Sequence, residues 1–270
     1  GEEMLREITL GQYYQTDSVI HRLDPRVKLV ATMLFIASLF IVDNWIGYLL
    51  GGGFLFGIIK LSKVPFRFMV KGMKSLAMLL LIALIFNLFL TPGEPLLSFW
   101  GLSITKEGVI QASMMTIRLV FLIIGSSIMT LTTTPNHLTD GLEKLLSPLK
   151  IFHVPVHETA MMMSIALRFI PILLEETDKI MKAQMARGAD FESGSLVRKV
   201  RAMVPLLVPL FLSAFRRAND LAMAMEARCY RGGEHRTKMK PLVYRKEDRI
   251  AYLILVVYLT ASICLGRIFL

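Results

Sequence analysis

Charged residues punctuate this chain unevenly, and the gaps between them define its elements. Leu29–Val42 carries no charge, and neither does Asn44–Ile59. Ser75–Gly93 and Leu119–Thr139 are longer uncharged runs, and Ile250–Gly266 is a fifth. A membrane-crossing helix needs roughly 20 mostly apolar residues, about 17–25 in range. The third and fourth runs reach that length unaided. The other three reach it if flanking side chains snorkel to the interface. The pattern therefore predicts five spans.

Two further stretches change character midway. Thr159–Leu174 is apolar apart from Arg168, and Ala202–Phe215 is apolar but holds Pro205 and Pro209. Each continues into a charged pattern at helical spacing. The spacing predicts two long amphipathic helices, from about Val156 to Arg187 and from about Leu196 to Arg228; a seven-span bundle is the alternative. A shorter amphipathic helix precedes them, with Leu138, Leu142, Leu145, Leu146 and Leu149 on one face and Pro148 limiting it.

Punctuating residues fit this division. Asp24-Pro25 provides an N-cap and a proline at the first helical position for the first span. Thr91-Pro92-Gly93-Glu94-Pro95 ends the third span, and Thr132–Asn136 ends the fourth. Trp45 and Tyr48 suit one membrane interface and Trp100 the other.

Composition strengthens the membrane reading and adds a second part. Apolar residues make up 54% of the 270 residues and charged residues 19%, against about 25% charged in a soluble domain. Mean hydropathy is +0.56. Disorder and a disulfide scaffold are excluded, the first by apolarity and the second by a count of only two Cys. Yet the net charge is +10. Residues 135–249 hold 19 of the 31 Lys and Arg and 13 of the 21 Asp and Glu, which makes a basic, water-facing segment. Its helical, apolar character without aromatic interleaving argues against nucleic acid as a partner. Lys60, Lys63, Arg67, Lys71 and Lys74 suit anionic lipid headgroups of the bilayer.

Lys/Arg bias sets the orientation. The N-terminal segment and the loop at 60–74 are basic, while the turn at Asp43–Asn44 has no basic residue and the loop after the third span has only Lys106. The N-terminus is therefore expected in the cytoplasm. Residues 1–134 form the first four spans, 135–249 a cytoplasmic domain, and 250–270 the last span. The expected fold class is all-α: a polytopic membrane bundle with a cytoplasmic domain of long amphipathic helices.

Catalytic signatures are missing from the chain. Gly52 to Gly57 is followed by Ile58-Ile59, where a phosphate-binding loop requires Lys-Ser/Thr; these glycines suit close helix packing instead. His157-Glu158 lacks the second His of a metalloprotease. No Cys/His cluster has metal-ligand spacing, so no metal or cofactor is expected. The five spans carry no acidic residue well inside them, which argues against a self-sufficient ion-coupled carrier. Arg118 reads as an interfacial arginine.

Two helix ends stand out. Ala186-Arg187-Gly188 closes the first long pattern, and Ala227-Arg228-Cys229 closes the second, with Arg231 and Gly232 following. A single Arg at a helix C-terminus is explained by the helix dipole, a gain of about 0.3–1 kcal/mol. Duplication alters that balance. Small neighbours leave each guanidinium accessible, and its planar fork can clamp a carboxylate through two hydrogen bonds. A pair of such tips predicts two sockets on a partner. Eight of the 17 Met lie between Met161 and Met225; they serve core filling or an adaptable binding surface equally well.

These residues, in this order, resemble the transmembrane T component of energy-coupling factor transporters (the EcfT, CbiQ-like family). The resemblance rests on His21–Leu29, on Ala166–Pro171, on Ala183–Phe191 around the first Ala-Arg-Gly, on Arg217-Ala218 with Ala222–Arg228, and on Arg236-Thr237. It covers nearly the whole chain. It implies a non-catalytic scaffold in the cell membrane that joins two ABC-type ATPase subunits to a substrate-binding S component for vitamin or metal-ion uptake. It implies that Arg187 and Arg228 dock into the ATPases, with Ala186, Gly188, Ala227 and Arg231 beside them. Cys229 departs from the family's second Gly; if that position is left-handed, Cys costs stability there unless Gly232-Gly233 takes over. A stand-alone carrier or channel is the alternative.

Overall fold

The computed structural model describes residues 13–99, 102–189, 191, 196–232 and 239–268. Its order is α1 (Val19–Arg22), α2 (Pro25–Ile41), α3 (Trp45–Ser62), α4 (Phe66–Leu90), β1 (Pro95–Phe99), β2 (Leu102–Thr105), α5 (Lys106–Thr132), α6 (Pro135–Leu146), a 3₁₀ turn (Ser147–Phe152), α7 (Val156–Ala186), α8 (Leu196–Ala227) and α9 (Lys246–Ile268). Among the described residues, the regular structure is helical apart from β1 and β2, which pair antiparallel as a small hairpin after α4. Two compact units result, one from Leu142–Pro241 and one from Gly11–Gly141 with Leu242–Leu270.

Among the described residues, four helices are long and apolar enough to cross a membrane: α3, α5, α7 and the Lys246–Gly266 part of α9. Leu76–Leu90 of α4 is a shorter apolar stretch, and α2 has 17 residues. The fold is that of a helical membrane bundle. Length and composition thus place α7 among the candidate spans, where the amphipathic reading had set it apart. The fourth predicted span also begins earlier than its uncharged run: Thr105 caps α5 by accepting a hydrogen bond from Gly108 N–H at 3.0 Å, so the helix absorbs Lys106 and Glu107.

The unit containing α2–α5 and α9 has an aromatic centre. Phe54 stacks on Tyr258 with centroids 4.2 Å apart, and Phe35 lies about 6 Å from both rings. The Tyr258 hydroxyl reaches Ser38 Oγ at 2.9 Å, inside the same buried cluster. Gly52 lets the Phe121 ring approach, and Gly125 does the same for Phe35; a Cβ would meet those rings at 3.0 and 2.9 Å. Gly57, by contrast, faces open space, so close packing explains one of those two α3 glycines and not the other. In lipid, such packing and buried hydrogen bonds hold helices together, because the surrounding tails are as apolar as the side chains.

Helix ends in this unit are pinned by polar groups. Asn44 caps α3 by accepting from Gly47 N–H at 2.7 Å. Its amide also donates to the Leu265 carbonyl at 3.0 Å, one of the orphan acceptors in the last turns of α9. Arg118 has partners that the sequence does not show. It sits midway along α5, donates to the Tyr48 hydroxyl at 2.9 Å and to Asp43 at 2.6 Å, and reaches the Val42 carbonyl. It therefore closes the α2–α3 turn. Tyr48 is buried beside it rather than facing an interface, whereas Trp45 is exposed. Trp100 lies outside the described residues.

Candidate functional site

Both long helices end in the same backbone motif. At the end of α7, Gly188 N–H donates to the Met185 carbonyl at 2.9 Å, and Ala189 N–H donates back to Gln184 at 3.0 Å. At the end of α8, Cys229 N–H donates to Glu226 at 2.8 Å, and Tyr230 N–H donates to Met225 at 3.0 Å. This is the paired closure of a Schellman C-cap, in which the residue after the cap takes a left-handed conformation. Gly188 does so with φ of 87°, and Cys229 does so with φ of 55°. Cys229 thus occupies the position equivalent to Gly188, and Gly232 does not take over that role, although its own φ is also positive.

The consequence for the arginines is direct. Arg187 and Arg228 each sit one residue before the left-handed turn, at the very end of a helix. Ala186 and Ala227 beside them are exposed, as are Gly188 and Arg231. Neither Arg187 nor Arg228 has an ion-pair partner among the described residues. Among the described residues, no carboxylate claims either guanidinium fork.

Helices α7 and α8 are tied at two levels. Arg217 donates to Glu176 at 2.7 Å. Farther along, Pro209 has no N–H to offer the Pro205 carbonyl, and the Gln184 side chain of α7 donates to that oxygen at 3.4 Å. These pairings run in opposite directions along the two helices, so α7 and α8 form an antiparallel hairpin. Arg187 lies eleven residues beyond Glu176, and Arg228 lies eleven beyond Arg217. At about 1.5 Å per residue the two tips stand roughly 25–35 Å apart. The arginines are not brought together on one site; they stand at two separate helix tips. Arg231 stays with the second. At the other end of α7, His157 Nδ1 meets Glu143 of α6 at 2.9 Å, so His157 has a structural partner.

The segment His21–Leu29 builds a polar anchor in the other unit. Asp24 caps α2 by accepting from Arg26 N–H at 2.9 Å, and the Arg26 guanidinium grips both its oxygens at 3.0 and 2.8 Å. Arg26 lies over the Tyr244 ring at 3.8 Å. Burial alone would push the Asp24 carboxyl up; the hydrogen bonds and charge of Arg26, with the Lys28 charge, hold it below the ordinary carboxylate range. The buried Lys28 ammonium donates to the His21 carbonyl at 3.1 Å and to the Thr132 carbonyl at 2.8 Å, which ties α1 to the end of α5. Asp248 completes the anchor. One of its oxygens accepts from Asp24 N–H at 2.8 Å, and the other accepts from Arg245 N–H at 2.7 Å. It therefore serves the start of α2 and the start of α9 at once, the second as in a capping box. The sequence signal for Asp248 was only a first-turn acid on the last span.

The profile of the cobalt transport protein family (CbiQ) matches residues 16–239. The chain is 54% identical to the energy-coupling factor transporter transmembrane protein EcfT of Clostridium kluyveri over 98% of each chain. It is 53% identical to that of Thermosediminibacter oceani, covering 92% of this chain and 94% of the relative. With the Bacillus subtilis protein of the same name the identity is 48% over 94% and 96%. A helical membrane bundle carrying these motifs, with relatives of this identity over nearly its full length, belongs to the EcfT family of transmembrane components of energy-coupling factor transporters.

Proposed function

We propose that this chain is the non-catalytic scaffold of an energy-coupling factor importer. In this reading Arg187 and Arg228 each dock into one of two ABC-type ATPase subunits and pair with acidic residues there. Residues 135–249 form the cytoplasmic coupling domain, and the spans in 1–134 and 250–270 lie in the cell membrane. A substrate-binding S component rests on the same scaffold. ATP-driven opening and closing of the ATPase pair moves the two tips, tilts the S component and releases a vitamin or metal ion inward. Hydrolysis belongs to the ATPases.

The observation that carries this reading is the matched pair of helix ends. Each presents one exposed arginine, without an ion-pair partner among the described residues, between a small residue and a left-handed turn, and the two stand too far apart to hold one ligand. Two like sockets on two like subunits fit that arrangement. Truncating one partner of a buried interfacial charge pair costs roughly 2–5 kcal/mol. Arg187→Glu and Arg228→Glu are expected to abolish ATPase-coupled uptake while leaving membrane insertion intact. Recruitment of both ATPases at the normal level by the double variant would refute the docking role.

A further inference from the structure

The anchor around α1 borders two depressions that the scaffold role does not use. The first is an apolar cavity of about 150 Å³. Ile20 of α1 and Leu23 just after it, Ile58 and Leu61 of α3, and Ala251 and Ile254 of α9 line part of it. Leu61 and Ile254 are more than half exposed, so the cavity opens sideways toward the surroundings of the bundle. The second is a shallow recess lined by Arg22, Lys60 and Lys63 with Asp17, Ser18 and Val19. Leu61 lines both. Around α1 the residues alternate: Val19 and Arg22 border the recess, while Ile20 and the C-cap residue Leu23 border the cavity.

Charge in the recess is unbalanced. Among the described residues, Asp17 is the one carboxylate lining it and is already gripped by Arg22, through Nε at 2.7 Å and the second guanidinium nitrogen. Lys60 and Lys63 are exposed and have no ion-pair partner among the described residues. An apolar slot open to the bilayer, continuous with a recess carrying two unpaired ammonium groups, matches a molecule with a hydrocarbon tail and an anionic head. Solvation alone explains exposed lysines at a helix end. It does not explain why they adjoin a side-opening cavity.

We propose that the cavity and recess together bind one anionic phospholipid, with the end of an acyl chain in the cavity and the phosphate against Lys60, Lys63 and Arg22. The bound lipid would cover the α1–α3–α9 junction and steady the anchor built by Asp24, Lys28 and Asp248.

Native mass spectrometry of the purified full-length chain tests this. The probes are dioleoyl phosphatidylglycerol and dioleoyl phosphatidylcholine, which share their acyl chains. One retained phosphatidylglycerol is expected, favoured at least about tenfold over phosphatidylcholine. Lys60→Gln with Lys63→Gln should lower its retention by about thirtyfold, because two surface cations are lost. Ala251→Trp, which adds bulk to the cavity lining, should lower it as well; Ala31→Leu, elsewhere in the lining, is the second filling variant should the first fail to fold. Equal retention of the two lipids would overturn the proposal. So would loss in the lysine variant with none in either filling variant, which would mean surface attraction only. Displacement of the lipid by millimolar inorganic phosphate would also overturn it, as the mark of a free-anion site.

Discussion

Replacing Cys229 with glycine should strengthen the second tip. An L-residue held in the left-handed region pays about 1–2 kcal/mol. Glycine avoids that cost but loses more freedom on folding, about 0.5–1 kcal/mol. The net gain for Cys229→Gly is therefore about 0.5–1 kcal/mol, a factor of about 2–5 in the local opening equilibrium. The amides that report it are Cys229 and Tyr230, which close the cap through Glu226 and Met225. Residue-resolved hydrogen exchange on the purified protein should show their protection rising by that factor, with Gly188 and Ala189 of the first tip unchanged. The reciprocal variant Gly188→Cys should lower protection at Ala189 by a similar factor. A Cβ at Gly188 meets nothing within 4 Å, so its penalty is purely that of the backbone. Unchanged or reduced protection at Tyr230 in Cys229→Gly would refute the reasoning.

Other substitutions probe the supports. Gln184→Leu should leave the Pro205 carbonyl without its donor and loosen the α7–α8 hairpin by about 0.5–1 kcal/mol, seen as faster exchange of neighbouring α8 amides; no change would show that water serves that carbonyl equally well. Asp248→Ala strands two N–H groups at the starts of α2 and α9, a cost of about 1–3 kcal/mol for each group left buried. Its melting temperature in detergent should fall well below that of Asp248→Asn, which keeps one acceptor oxygen. Asp24 predicts a pH dependence. Its folded pKa is depressed, so its contribution is complete above the unfolded value of about 3.9 and is lost as pH falls through the folded value. Melting followed from pH 7 to pH 3 should therefore show an acid loss that Asp24→Asn reduces.

The helices and their ends were legible because local rules set them. Uncharged runs located five helices, of which α3, α5 and α9 are long and apolar enough to cross a membrane, while α7 was missed because Arg168 interrupts it. Asp24-Pro25 marked the start of α2, and the amphipathic patterns ending near Arg187 and Arg228 closed within a residue of the observed ends. The repeated Ala-Arg pair was also visible as text. What it lacked was conformation. Nothing in the sequence reveals that Cys229 accepts a left-handed φ, since that depends on two backbone hydrogen bonds outweighing a steric cost. Contacts between distant residues were equally hidden. Arg118 closing the α2–α3 turn, Asp248 serving two helix starts, and Gln184 answering the donor missing at Pro209 each join residues from different helices. Interfacial position and i,i+4 spacing cannot anticipate such pairings. Tyr48 is a further case: its aromatic character suits an interface, but the sequence does not show that its hydroxyl meets Arg118.

The scaffold reading is tested most directly by what accompanies the chain out of its own membranes. Affinity purification of the tagged protein in mild detergent, followed by mass identification of its companions, should recover two ABC-type ATPases and one or more small membrane proteins. The same preparation from the Arg187→Glu, Arg228→Glu double variant should lose the ATPases. A chain that emerges alone, and remains alone after crosslinking in the membrane, would contradict the account and reduce both arginines to helix caps.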